Sequence, residues 1–317
     1  MQKKSNINFL SKMKILIATE KPFAKTATDE MKNIAQNADI EIVLLEKYTD
    51  LQQFYDAAAD ADGLIVRSDK VTKEVVSHAK NLKIVVRAGA GYDNLDLTAL
   101  TERGIVAMNT PGQNSNAVAE LALGMMLFLA RNAFEGGTGS ELKGKTIGIQ
   151  AFGNVGRLVG ILAKAFGMNV LAFDPFLTKE QIESDGAVAV DNLEELYSKS
   201  NFISLHIPAN EKTKKSINYD LLKLMPKCAF LINTARKEVI NEDDLDKMLE
   251  ERPDFKYATD IAPDNLPTLK EKFGNRVFAT PKKMGAETAE ANINAGLAAI
   301  NQAIGFLKEG VDKFRVN

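Results

Sequence analysis

Short apolar runs alternate with stretches in which apolar residues recur three and four positions apart. The runs at 14–18, 40–45, 63–66, 83–86 and 105–108 are apolar on both faces and read as buried strands. Between them, 25–38, 49–60 and 73–79 carry helical spacing. The same alternation restarts at 146, with strands at 146–150, 169–173, 202–205, 229–233, 257–260 and 276–280 and helices at 157–166, 193–197, 219–224 and 243–250. Strand–helix alternation of this kind builds a parallel sheet covered by helices, here twice over. The segment 117–130 is apolar on nearly every side, so it is expected as a deeply buried helix between the domains, capped by Ser115 or Asn116. At about 21 Å it is too short to cross a bilayer. Residues 132–142 read as a flexible, glycine-rich return, and 288–307 as one long helix crossing back to the first domain.

The most informative stretch is KGKTIGIQAFGNVGRLVGILAKAFGMNVLAFDPF, residues 143–176. It is a strand, a tight turn, a helix and a second strand that ends in Asp174. Such a unit holds a dinucleotide: amides at the helix start face the pyrophosphate, and the acid receives the ribose hydroxyls. Gly153 and Gly156, with Asn154 and Val155 between them, supply the close approach and the helix packing, but Ala151 stands where the glycine pattern begins. Alanine is tolerable there if the turn needs no positive φ. Asp174 lies 18 residues beyond Gly156 and favours NAD, because it repels the 2′-phosphate of NADP. The expected fold class is α/β, with two Rossmann-like domains, doubly wound parallel sheets and the active-site cleft between them. The first domain spans 13–112 and is completed by 288–317; the NAD-binding domain spans 113–287.

Polar groups gather at the strand ends, where such sheets bind ligands. Arg67 and Ser68 follow one strand, and Arg87 leads into the glycine-rich turn AGAGYDN, whose amides could receive a carboxylate. In the second domain Asp174, His206, Arg236, Asp260 and Lys282 should all face one crevice. The 317 residues allow two domains, and a formal net charge of −2 gives no sign of a nucleic-acid partner. A single cysteine, Cys228, leaves no intrachain disulfide and suits a reducing, cytoplasmic compartment. Residues 1–12 lack the apolar core of a secretory signal and read as a ragged polar extension. No membrane span and no metal site are expected.

The motifs VRS (66–68), RAGAGYDN (87–94), NTPGQNSNAVAE (109–120), GNVG (153–156), FDP (173–175), HIP (206–208) and INTAR (232–236) resemble those of the D-2-hydroxyacid dehydrogenases, from about residue 14 to 311. VRSDK, RAGAGYDN and MNTPGQN are most similar to the phosphoglycerate dehydrogenase branch, which acts on a phosphorylated 2-hydroxy acid and opens serine synthesis. The resemblance implies NAD as cofactor and a homodimer formed through the nucleotide domain, the 117–130 helix contributing. A chain ending at Asn317 would lack the regulatory domains of longer members.

Roles follow from the same resemblance. Arg236 is expected to hold the substrate carboxylate and polarise the reacting oxygen, with the amides around Ala88 and Gly89 on the same carboxylate. Arg67 and Ser68 would meet the phosphate. Asn114 and Val118 should lie near the nicotinamide; Thr234, Ala235 and Asp260 should flank the cofactor; Pro175 should follow the ribose-binding acid; His206 and Pro208 should line the pocket. The family places a histidine after the proline at 281 and a glutamate in the segment after Asp260. Here Lys282 stands in the first place and IAPDNL, with Asp264, in the second. Lys282 is the expected proton carrier, its pKa lowered by burial and by Arg236. Two classes stay open: a dehydrogenase with a changed proton carrier, and an NAD-sensing protein without turnover.

Overall fold

The computed structural model describes residues 12–317, so the extension expected at 1–12 lies, but for Lys12, outside the described residues. The chain divides into two compact units. One runs to Asn114 and takes up Thr288–Asn317 again; the other is Ser115–Glu287.

The first unit is built on β1 (Lys14–Thr19), β2 (Glu41–Glu46), β3 (Gly63–Val66), β4 (Ile84–Arg87) and β5 (Val106–Asn109), all parallel, in the order β2-β1-β3-β4-β5. Helices α1 (Lys25–Asn37), α2 (Leu51–Ala58), α3 (Lys73–His78) and α4 (Leu97–Glu102) join the strands. Because side chains alternate along a strand, Leu16, Ala18, Leu64 and Val66 face Phe54, Val75, Val76 and Leu100. Ile15, Ile17, Ile65 and Ile84 face Met31 on α1. They also meet Ala295, Ala299 and Ile300 of the C-terminal helix, Ala289–Glu309, which belongs to this unit. The last residues guard the sheet edge: Val316 N donates to Ala107 O at 2.9 Å, and Asn317 Oδ1 accepts from Ala107 N at 2.9 Å.

The second unit carries β6 (Thr146–Gln150), β7 (Asn169–Phe173), β8 (Val188–Ala189), β9 (Phe202–Leu205), β10 (Phe230–Asn233), β11 (Lys256–Thr259) and β12 (Val277–Ala279). They form one parallel sheet in the order β12-β11-β10-β9-β6-β7-β8, so the order reverses between β6 and β9, where such sheets take their ligands. On one face α5 (Ser115–Ala130) and α6 (Asn154–Ala165) set Met125, Met126, Leu129, Val159 and Ala163 against Ile147 and Ile149. Helix α7 (Lys179–Ser184) adds Ile182 to that same face, while on the other α8 (Leu193–Ser198), α9 (Tyr219–Leu222), α10 (Glu242–Glu251) and α11 (Leu266–Phe273) complete the connections. There Tyr197, Leu222, Leu245 and Leu269 cover Ile203, Leu231 and Tyr257. Each such apolar side chain contributes about 1.5–3 kcal/mol when fully buried. An exposed i,i+4 pair such as Lys25–Asp29, at 2.5 Å, adds roughly 0.3–0.5. The two-faced cores therefore hold the units together, not the surface charges.

Several local expectations are corrected. The helix expected at 117–130 begins at Ser115, so Ser115 and Asn116 lie inside its first turn. Asn116 does not cap it; its side chain donates to Glu120 Oε1 at 2.7 Å. The return at 132–142 is tied down. Asn132, Ala133 and Phe134 all take positive φ, Asn132 donates to Thr138 O, and Lys256 Nζ reaches Leu129 O and Asn132 Oδ1. Helices α4, α7 and α11 went unforeseen. Helix α7 buries only Ile182 and is fixed by a capping box of Thr178 and Gln181, so it shows no apolar period. In α11 the proline sits in the first turn, where no helical hydrogen bond is lost.

The turn after β6 does need positive φ. Ala151 adopts φ 72°, a left-handed conformation that costs an alanine about 1–2 kcal/mol. The turn brings its carbonyl under α6: a Cβ on Gly156 would sit 2.3 Å from Ala151 O. Ala151→Gly is therefore expected to raise the free energy of unfolding by roughly 0.5–1 kcal/mol, the strain relief less the added unfolded-chain entropy. Chemical denaturation of the two proteins measures this, and a glycine variant no more stable than the parent would show the turn to be unstrained.

Candidate active site

At the carboxyl end of β6, α6 begins with Gly153 as its cap and exposed Asn154 behind it. A side chain added at Gly153 would meet nothing within 4 Å, so the space above the helix start is open to a phosphate and to the unpaired amides of the first turn. Val155 is half-buried behind them, and Gly156 presses the helix onto the turn. At the tip of β7, Asp174 accepts from Phe152 N through Oδ2 and from Phe176 N through Oδ1, both at 2.9 Å. Each oxygen keeps acceptor capacity for a ribose hydroxyl. Pro175 follows it, exposed. Phosphate donors, open space and a fixed acceptor together fit a dinucleotide.

Beyond β9 and β10, His206 lies between two hydroxyls, Nε2 at 2.9 Å from Ser204 Oγ and Nδ1 at 3.5 Å from Thr234 Oγ1. Burial pushes the imidazole down to about 3, which favours the neutral ring near pH 7. Pro208, two residues on, is exposed. Thr234, Ala235 and Arg236 form the exit of β10, and Arg236 Nη1 donates to Ala235 O at 2.9 Å.

Asp260, at the tip of β11, is fully buried. Its Oδ2 accepts from Gly285 N at 2.7 Å, while Oδ1 is buried without a hydrogen bond. Burial raises this carboxyl; the Gly285 amide, the charge of Lys283, the Met284 amide and the charge of Arg236 oppose the rise. A Cβ on Gly285 would lie 2.8 Å from Asp260 Oδ2 and 3.2 Å from Val118 Cγ2. The turn carrying Lys282 thus rests on both Asp260 and Val118, which the sequence assigned only to the cofactor.

One expectation about Lys282 changes: its side chain is 73% exposed rather than buried. Asp264, whose part beside Lys282 the sequence left open, pairs with Lys237, and the carboxylate beside Lys282 is Glu287, at 3.9 Å. Glu287 lies five residues beyond Lys282 in the same stretch, KKMGAET (282–288), where local spacing offered a signal.

In the first unit, Arg67 and Ser68 follow β3. The Arg67 fork is partly engaged: Nη1 donates to Lys21 O and Pro22 O at 2.9 Å, and Nη2 to Asn292 Oδ1 at 2.5 Å, over the Phe23 ring. Two of its five donors, Nε–H and one on Nη2, remain for a ligand. Ser68 is exposed. The amides of Ala88 and Gly89 do not offer themselves to a carboxylate. Ala88 N prolongs the sheet by bonding Val66 O, and Gly89 N closes onto Arg87 O, both at 2.9 Å. The Arg87 guanidinium lies across Gly89, and its Nε donates to Arg67 O at 3.0 Å. Asn94 braces the same loop through Asp69 O at 2.7 Å. Asn114 is half-buried in the turn before α5. Of these, Arg87 was visible as a strand-end group without an assigned partner, and Asn94 only as a member of a motif.

Parallel doubly wound sheets with a dinucleotide turn and an arginine at a strand tip define an NAD-linked oxidoreductase class, and residues 123–282 match the NAD binding domain of the D-isomer specific 2-hydroxyacid dehydrogenases. The chain belongs to that family, and its dinucleotide is NAD. It is 46% identical to the NAD+-bound 3-phosphoglycerate dehydrogenase of Entamoeba histolytica, with a TM-score of 0.87 over 97% of this chain and 99% of that one. D-3-phosphoglycerate dehydrogenase of Methanocaldococcus jannaschii is 37% identical over 86% of this chain and 54% of its own length. This chain therefore spans about half of that relative. Hydroxypyruvate reductase of Thermotoga maritima is 34% identical over 89% of this chain and 94% of its own.

The carboxylate of Asp174 sets a cofactor prediction. The parent should prefer NADH to NADPH strongly, and Asp174→Ala should narrow the ratio of the two dissociation constants by removing like-charge repulsion of the 2′-phosphate. Fluorescence titration with both nucleotides checks this; equal binding of both by the parent would defeat it.

Proposed function

We propose that this chain is a D-3-phosphoglycerate dehydrogenase, interconverting 3-phosphoglycerate and 3-phosphohydroxypyruvate with NAD at the entry to L-serine biosynthesis, as a cytoplasmic homodimer. The observation that carries this reading is the 46% identity to the Entamoeba histolytica enzyme along nearly the whole of both chains.

In this reading Gly153, Asn154 and Val155 hold the pyrophosphate, Gly156 closes the turn beneath it, and Asp174, followed by Pro175, holds the adenine ribose. Asn114, Val118, His206, Pro208, Thr234, Ala235 and Asp260 surround the nicotinamide half. The bound cofactor supplies or accepts a hydride at the carbon bearing the oxygen. Arg236 takes the substrate carboxylate in a charge-assisted fork and draws electron density onto that oxygen. As charge grows there, the Lys282 ammonium donates its proton from Nζ, and in the oxidising direction the neutral amine takes it back. Glu287, 3.9 Å from Lys282, keeps the side chain near its turn. Arg67 and Ser68 receive the phosphate, with the free half of the Arg67 fork.

A second reading has its own support. Three donors of Arg67 are already spent on Lys21, Pro22 and Asn292, and the Thermotoga maritima relative reduces the unphosphorylated hydroxypyruvate by its name. A reductase of hydroxypyruvate or glyoxylate fits both facts. Initial rates with NADH on 3-phosphohydroxypyruvate, hydroxypyruvate, glyoxylate and pyruvate decide between them. A preference for the phosphorylated acid is expected; turnover of none would leave an NAD-binding protein without catalysis. In the same panel Arg67→Ala should cost about tenfold to a hundredfold on the phosphorylated acid, the scale of a lost charge-assisted contact of roughly 1.5–3 kcal/mol. It should cost far less on hydroxypyruvate.

Lys282→Ala should bind NADH almost as the parent does but lose roughly 10²–10⁴-fold in single-turnover reduction. Lys283→Ala should lose much less. Near-normal chemistry in Lys282→Ala would mean that water or another side chain supplies the proton.

A further inference from the structure

The exit of β10 is held by one buried side chain. Asn233, the last residue of the strand, is fully buried. Its Oδ1 accepts from Ala235 N at 3.0 Å, and its Nδ2 donates to Arg236 O at 3.0 Å. The backbone on either side of the Arg236 Cα, the amide of Ala235 before it and the carbonyl of Arg236 itself, is thus pinned by one planar amide. The chemistry fixes the side chain's orientation, because the oxygen must face the amide N–H and the nitrogen the carbonyl. The Tyr257 phenol lies beside it: burial pushes this group up to about 12, and the neighbouring Thr259 and Asn233 side chains oppose the rise. Main-chain bonds close the clamp, since Asp260 N donates to Asn233 O at 3.3 Å and so ties the β10 tip to the buried carboxylate of β11.

We infer that Asn233 is a positioning residue for Arg236: it sets the backbone turn that aims the guanidinium at the substrate carboxylate. The inference rests on the role given to Arg236 above. Asparagine alone offers both a donor and an acceptor at this reach. Aspartate has the shape but no donor for Arg236 O when ionised, and alanine has neither. Freed of the clamp, Arg236 keeps its charge but loses its place, and a displacement of about 1 Å at a positioned group is enough to cost on the order of 10²-fold.

The test compares Asn233→Ala, Asn233→Asp, Tyr257→Phe and Arg236→Ala with the parent by steady-state kinetics on the best substrate of the panel, NADH titration, oxalate binding to the NADH complex as a probe of the carboxylate site, and thermal midpoint. Asn233→Ala is expected to hold its NADH affinity within about threefold, to lose about 10²-fold in kcat/KM, and to bind oxalate more weakly by about tenfold or more. Tyr257→Phe, which removes the neighbouring hydroxyl only, should stay close to the parent. If Asn233→Ala proves too unstable to purify, Asn233→Asp carries the test, because it keeps the Ala235 bond and loses the one to Arg236 O. Kinetics within threefold of the parent in the Asn233 variants, beside a crippled Arg236→Ala, overturn the inference alone. Near-normal Arg236→Ala overturns the reading of Arg236 and this inference with it. Equal losses of NADH and oxalate binding would mark Asn233 as a general brace and also overturn it.

Discussion

Every strand pair in both sheets is parallel, and this constraint governs the rest. A parallel sheet returns each strand in the same sense, so every strand's carboxyl end leaves from one edge of its sheet. Asp174, His206, Arg236, Asp260 and Lys282 are scattered over more than a hundred positions of sequence, yet each follows a strand of one sheet at that edge. The glycine turn stands beside the point where strand order reverses, between β6 and β9. There two neighbouring connections run to opposite faces and leave a crevice above the sheet.

Within that frame the functional loops are placed by buried polar side chains rather than by apolar packing. A buried amide or carboxylate costs free energy unless it is hydrogen-bonded, so each one that survives in a core dictates where its partners must be. Asn233 does this for the turn of Arg236, and Asp260 for the turn of Lys282. In the first unit, buried Asp69 accepts from Glu20 N and Tyr48 Oη and joins the loops after β1 and β2 to the end of β3. These groups are also where satisfaction is incomplete: one oxygen each of Asp69 and Asp260 is buried without a hydrogen bond.

The pocket histidine and the candidate proton carrier sit in opposite environments. His206 is desolvated between Ser204 and Thr234 and stays neutral, so it suits the wall of a pocket. Lys282 is exposed beside Glu287 and keeps water around its ammonium. An exposed cation on a turn held from beneath by Asp260 can reach toward a ligand while its backbone stays fixed. In this family member, access rather than burial is what recommends the lysine.

The sequence by itself determined the β–α alternation, the two parallel sheets and which polar residues follow the strands, because these depend on local periodicity and on chemistry a few residues apart. It could not show that Ala151 would be driven to positive φ: the cause is the carbonyl that must pass beneath Gly156. It assigned the Ala88 and Gly89 amides to a ligand, since the capture of Ala88 by Val66 follows from how β3 and β4 pair and that of Gly89 by Arg87 from the local turn. It could not see that Arg67 would spend donors on Lys21, Pro22 and Asn292, the last 225 positions away, or that Asp264 would turn to Lys237. It named INTAR as a motif without singling out Asn233, whose importance lies in two hydrogen bonds made only once the strand ends and the chain turns. Residue types and their spacing fix which groups a chain can bring to a site. Which of those groups reach it uncommitted is decided by competition for hydrogen bonds in the folded chain, and that competition is tertiary.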